Sequence, residues 1–285
     1  MKPLTKHDVI LGREVRYRRR MDLRVTTKEE AVKFVDDVGF CFLFPIQGVE
    51  MPSLWDAIAG RIVKTTNKHS GYEIERTWGW KDDALDKKWW YYGKLIRDKA
   101  TLISLDVLPN FYALSENFGD YERDYLEEYR TGQLTAEAKQ VYEALLKNGA
   151  LDAVRLRREA HMSSDANKGR FDKALIDLQT GLKVLPIGIA PVGAWRYAFI
   201  YEVLPRWYPE IPARAQQIGR AEARRRVLDQ YLRNVIFSTV LLASRVFRWS
   251  ITETRQAADA LAAAGRLELD VKVAGIRDAQ MIQRP

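Results

Sequence analysis

A single cysteine, Cys41, excludes an intramolecular disulfide framework. The three histidines, His7, His69 and His161, lie too far apart in sequence for the paired spacing of a His/Cys zinc site. No apolar run reaches the ~20 residues that a membrane span needs, and the longest, such as Val235–Ala243, are broken by polar residues. The opening MKPLTKHD has no apolar core of the kind a secretory signal carries. With the lone cysteine, this places the expected location in a reducing cytoplasm, nucleoid-associated in a bacterium. Walker, His-Glu-x-x-His and Gly-x-Ser-x-Gly signatures are all missing, which removes phosphate-loop, zincin and serine-hydrolase chemistry. No cofactor and no metal are expected. Gly188-Ile-Ala-Pro-Val-Gly193 lacks the context of a phosphate loop and reads as a turn between two strands.

What the chain does have is a globular balance, 47% hydrophobic and 29% charged residues, and enough aromatics for a sizeable core. Its 46 Lys and Arg against 38 Asp and Glu leave a net charge of +8, and that excess is clustered. The first basic segment holds Lys2, Lys6, Arg13, Arg16, Arg18, Arg19, Arg20 and Arg24. A second holds Arg155, Arg157, Arg158, Lys168, Arg170 and Lys173, and a third Arg214, Arg220, Arg224, Arg225, Arg226 and Arg233. Separated basic segments suit a polyanion lying across several modules, because each neutralised phosphate releases counterions. The competing reading is of solvated arginine-rich helix faces.

Breakers near residues 120 and 212 divide the chain into expected modules: 1–120, winged-helix-like with the aromatic segment, and two winged helices, 121–212 and 213–285. Gly60–Gly71, with Asn67 and Ser70, reads as a loop. Thr26 or Thr27, followed by Glu29 and Glu30, forms a capping-box start for a helix running to about Val38. Thr135 opens a second helix that stops at Asn148-Gly149, and Ser250 with Glu253 caps a third that ends at Gly265. Leu267-Glu-Leu-Asp-Val-Lys-Val273 alternates with the period of a half-buried strand. The middle and last thirds repeat one grammar, three helices and then a hairpin, which is the order of a winged helix. The expected fold is therefore α+β and mostly helical, with tandem winged-helix modules and short β-hairpins. Such modules bind duplex DNA or protein partners, and the fold alone does not choose between them.

Three stretches carry a resemblance. They are Ala31–Gly39 with Pro52-Ser-Leu-Trp-Asp-Ala-Ile58; Trp89–Ile96 with Ala100–Pro109; and Arg224–Tyr231 with Phe247–Arg255 and the Leu267–Val273 strand. Together the chain resembles a divergent member of the AlkZ and YcaQ type of DNA glycosylases. The resemblance implies tandem winged helices and removal of alkylated or crosslinked bases from double-stranded DNA. It also implies a Gln-aliphatic-Gln or Gln-aliphatic-Asp motif on the first strand, to position water. Here that stretch is Phe40-Cys-Phe42-Leu43-Phe44-Pro-Ile-Gln47, with phenylalanines at the two polar positions.

The candidate catalytic residues are consequently Glu50 and Gln47, just downstream. Glu50 would serve as a general base if Phe42, Phe44, Met51 and Trp55 enclosed it; otherwise it is a loop glutamate. Trp89, Trp90 and Tyr91, in a dense aromatic group with Trp78, Trp80 and Tyr92, are candidates to stack an extruded base, or else to pack a core. Lys94 and Arg97 follow as phosphate contacts, with Arg18, Arg19, Arg20, Arg155, Arg157, Arg158, Lys168, Arg170, Lys173, Arg224 and Arg225. The function expected is duplex DNA binding through a basic concave face, with glycosylase chemistry altered or lost. The alternatives are an active glycosylase with a shifted site and a protein-interaction module.

Overall fold

The structure, a computed structural model, describes residues 5–63, 71–117, 119–193, 195–272 and 280–283. Lys2, Asn67, Ser70 and Val273, named above, lie outside them. The elements run α1 Lys6–Arg16, α2 Lys28–Val38, β1 Phe40–Phe42, α3 Leu54–Ala59, α4 Tyr72–Lys87, β2 Tyr91–Gly93, β3 Thr101–Ile103, α5 Leu108–Tyr112 and α6 Asp124–Arg130. They continue with α7 Ala136–Asn148, β4 Leu151–Asp152, α8 Ala153–Glu159, α9 Lys168–Thr180, β5 Val184–Ala190, β6 Ala198–Val203, α10 Leu204–Trp207 and α11 Glu210–Gln216. The last are α12 Arg220–Val235, β7 Phe237–Ser238, α13 Val240–Phe247, α14 Ile251–Ala263, β8 Leu267–Val271 and β9 Gln280–Gln283. The fold is α+β and mostly helical.

The chain divides into two compact units. One comprises Met1–Lys81, Leu102–Val107 and Arg220–Pro285, the other Asp82–Thr101 and Leu108–Gly219. These cut across the three consecutive segments read from the breakers, because the first unit draws on both ends of the chain. One order of elements, helix–strand–helix–helix–strand–strand, occurs three times: α2 to β3, α7 to β6 and α12 to β9, interrupted only by single 3-10 turns. In the second and third repeats the first strand lies beside the last, with sheet orders β4-β6-β5 and β7-β9-β8, all pairs antiparallel.

Local chemistry accounts for the boundaries. Thr27 and Ser250 each accept from the backbone N–H of the glutamate three residues on, and Glu30 and Glu253 return the bond to the cap. Losing the Ser250 hydroxyl in Ser250→Ala is expected to cost about 1 kcal/mol, read as a lower urea midpoint. α2 buries Ala31, Phe34, Val35 and Val38 at helical spacing and stops at Gly39, whose φ of 71° suits glycine. In the second unit, α7 and α9 bury Val141, Tyr142, Leu145, Phe171 and Leu178 against β5 and β6. The hairpin turn there spans residues 191–197, so Gly188 sits within β5, at a register shift beside Pro186, and not in the turn.

Candidate functional site

In the first unit β1 carries Phe40, Cys41 and Phe42, all fully buried. The chain then reverses through a turn at Ile46–Val49, where Gly48 has φ 76°. It returns beside itself, the Phe42 N–H donating to the Pro52 carbonyl at 3.0 Å. Ser53 accepts from the Asp56 N–H and starts α3, which sets Asp56 on the first helical turn with no solvent exposure. Glu50 therefore projects from the returning limb of the loop, with its side chain 43% exposed.

Of the two readings of Glu50, an apolar pocket or an open loop, its surroundings match the loop, and they are ionic. Its two oxygens lie 3.4 Å from Arg13 Nη1 and 3.4 Å from Arg19 Nη1. Both guanidiniums are anchored elsewhere. Arg13 Nε donates to the Val235 carbonyl at 2.9 Å, and its guanidinium stacks over Phe237. Arg19 donates to Asp56 Oδ2 through Nε at 2.9 Å and Nη2 at 2.7 Å, and lies 4.6 Å above the Tyr17 ring. The other Asp56 oxygen accepts the Val63 N–H at 2.9 Å. Tyr17, the C-cap of α1, is fully buried, and its hydroxyl has no hydrogen-bond partner among the described residues. Burial first, and then the Glu50 carboxylate, push its phenol well above the ordinary range. Tyr231 pairs with Ser238 at 3.3 Å and is likewise pushed up by burial.

At the first strand, Phe42 is buried and Phe44 packs edge-on to Trp55 at 5.1 Å and tilted to Trp78 at 5.2 Å. Gln47 is exposed on the turn.

The other candidates divide by burial. Trp90 and Tyr91 are core residues of the second unit: Tyr208 donates to the Trp90 carbonyl at 3.2 Å, and Tyr91 donates to the Gln179 carbonyl. As they stand they cannot stack on a base. Trp89 is half-buried, with the Lys87 ammonium 5.1 Å from its ring. Of the exposed aromatics of this unit, which include Tyr129 and Tyr197, Trp195 is the most open, 90% accessible in the β5–β6 turn beside exposed Arg196.

Among the basic residues, Arg157 serves the fold, donating to the carbonyls of Met162 and Ser164. Arg155, Arg158, Arg170 and Lys173 lie in the open, each near one carboxylate (Asp152, Glu159, Glu137 and Asp177), while Lys168 begins α9 exposed. Lys94 and Arg97 are exposed in the second unit. In the first, Arg18 pairs with Asp37, Arg20 with Asp22 and Arg224 with Glu253. Arg225 pairs with Glu222 in a cleft of about 270 Å³ that Arg226, Asp229 and Arg266 also line.

A family model described as AlkZ related matches residues 25–239, three quarters of the chain. The chain belongs to the AlkZ-related family. Membership extends over β1, the Glu50 loop and the second-unit hairpin alike. Among solved structures, the Streptomyces sahachiroi DNA glycosylase AlkZ shares the family fold with a TM-score of 0.55 at 15% identity, over 95% of this chain and 69% of that one. No curated protein matches this chain in sequence. Among the described residues no helix is long and apolar enough to cross a membrane, and no group of three or more His, Cys, Asp or Glu is set to hold a metal ion.

Tyr17 and Trp195 were not among the residues singled out from sequence, and Arg13 and Asp56 appeared there only as members of longer stretches. The Arg13 to Tyr17 spacing of one helical turn, and a tryptophan amid Pro191, Val192 and Gly193, were signals available for two of them.

Proposed function

We propose that the chain is a duplex-DNA-binding protein of the DNA-glycosylase type in which the water-positioning site of its relatives is closed. The observation that carries this reading is the pair Phe42 and Phe44. One is buried and the other is packed against Trp55, and neither can hold or activate water. Each helix–strand–helix–helix–strand–strand block, with its first strand beside its last in the second and third, is read as a winged helix. In the middle block α9 is then the helix that meets DNA, and Lys168, Arg170 and Lys173 lie on its exposed side. The β5–β6 hairpin is the wing, carrying Trp195 and Arg196 at its tip.

Purified protein should be retained on both intact and alkylated duplexes, with no base released from either. No retention at low salt would overturn the reading, and retention of a stoichiometric protein partner after nuclease treatment would favour the interaction module instead. A second reading, an active glycosylase with a shifted site, rests on the place of Glu50 a few residues after the family's motif. It requires base release that Glu50→Gln abolishes.

Trp195 is the side chain whose removal separates binding from folding. Stacking on a base is worth about 1–3 kcal/mol, so Trp195→Ala should weaken duplex binding roughly 5- to 150-fold. A side chain that is 90% exposed contributes little to the core, so thermal unfolding should not change. Filter binding and a melting curve on the same preparation check both.

A further inference from the structure

Arg13, Arg19 and Tyr17 have more binding capacity than the protein itself uses. The Nε side of each guanidinium is fixed, by the Val235 carbonyl and by Asp56, and each is stacked on an aromatic ring. Their Nη1 ends point to a shared position. The one anion there, Glu50, stands 3.4 Å from both, well beyond the 2.7–2.9 Å of a tight charge-assisted bond. Asp56 makes such bonds with the same Arg19 guanidinium. The Tyr17 hydroxyl, buried and unpartnered among the described residues, is an unused donor on the ring that the Arg19 guanidinium covers at 4.6 Å. Leaving a buried hydroxyl unpaired is unfavourable, and two anchored arginines with a free phenol match the oxygens of a phosphate better than a single loop carboxylate does.

We propose that Arg13, Arg19 and Tyr17 form a phosphate-binding site, and that Glu50 occupies it as a tethered anion until a phosphate displaces it. Glu50 can leave because it sits two residues after Gly48, an exposed glycine with open space around it. The nucleic-acid reading bears only on where the phosphate comes from, since the site itself is defined by its donors.

The test uses inorganic phosphate, titrated calorimetrically at matched ionic strength in chloride. A site filled nine parts in ten by its own carboxylate gains roughly tenfold in apparent affinity when that competitor is neutralised. Glu50→Gln should therefore bind phosphate about tenfold more tightly. Asp165→Asn, which removes one exposed negative charge elsewhere, should not. Tyr17→Phe keeps the packing and removes the unpaired hydroxyl. It should melt no lower than the natural chain, yet bind phosphate about tenfold more weakly in the Glu50→Gln background. Equal gains in Glu50→Gln and Asp165→Asn would overturn the proposal, as would a Tyr17→Phe variant with unchanged phosphate affinity. A short duplex serves as the second arm. Tighter duplex binding by Glu50→Gln at fixed salt assigns the site to a backbone phosphate, and a response to inorganic phosphate alone assigns it to a small phosphate ester. A protein that fails to bind DNA at all still gives a decisive phosphate titration.

Discussion

Between 50 and 200 mM salt, duplex affinity should fall by roughly 500-fold if α8 and α9 alone supply the phosphate contacts. The figure follows from which cations are free to exchange partners. Arg157 is committed to two backbone carbonyls, which leaves Arg155, Arg158, Lys168, Arg170 and Lys173. The four of these with a carboxylate neighbour are 62–72% exposed. Exposed pairs of that kind are worth about 0–1 kcal/mol, so a phosphate can replace the carboxylate at small cost. Five contacts at a slope of about −0.9 each give about −4.5 in log K against log salt, and a fourfold change in salt then yields the figure above. Replacing Lys168, Arg170 and Lys173 by alanine should flatten the slope by about 2.7. Fluorescence anisotropy across a salt series reads both quantities. A slope near zero in the natural chain, or one untouched by the triple substitution, would remove α9 from the interface.

The second large effect concerns folding. Asp56→Ala should destabilise the first unit by about 3–5 kcal/mol, the range for breaking a buried ion pair from one side. Asp56 has no exposed surface, and Arg19 is 12% exposed. Removing the carboxylate strands a desolvated guanidinium, strips the Val63 N–H of its acceptor, and takes an acid from the first turn of α3. Against the 5–15 kcal/mol typical of whole domains this is a large fraction. Asp56→Asn, which keeps an acceptor oxygen for Val63, should lose less. Urea denaturation followed by tryptophan fluorescence gives the comparison, and a loss under about 1 kcal/mol for Asp56→Ala would mean that Arg19 relaxes into water.

What could be read from sequence was what is local. Thr27 with Glu30 and Ser250 with Glu253 announce their helices within four residues, and the structure has both boxes. The alternation from Leu267 gives β8, and the two helix-then-hairpin runs appear as α7 to β6 and α12 to β9. In the first 120 residues a winged-helix-like module was expected without its strands being located, because those of the α2 to β3 run are only three residues long and carry no visible period. The Glu50 site was half legible. Glu50 was visible as a polar residue beside the departed motif, but its partners were not. Arg13 reaches a carbonyl 222 residues away and Arg19 a carboxylate 37 residues away, and no spacing rule joins them. The aromatic run failed for a different reason. Trp89, Trp90 and Tyr91 are consecutive, and composition does not say which of them turns inward, whereas burial at 1% and 0% puts Trp90 and Tyr91 in the core.

The first unit is assembled from residues up to 81 and residues from 220 onward, with the second unit's sequence between them. During translation, α1 and α2 therefore emerge long before α12, whose Val235 carbonyl and Asn234 side chain receive Arg13 and Arg16. At about 5–20 residues per second the ribosome needs roughly 7–28 s to supply residues 82–219, and nascent α2 lacks its α12 neighbour throughout. The later-made unit is complete first, and the amino-terminal helices wait for the carboxy-terminal block to arrive.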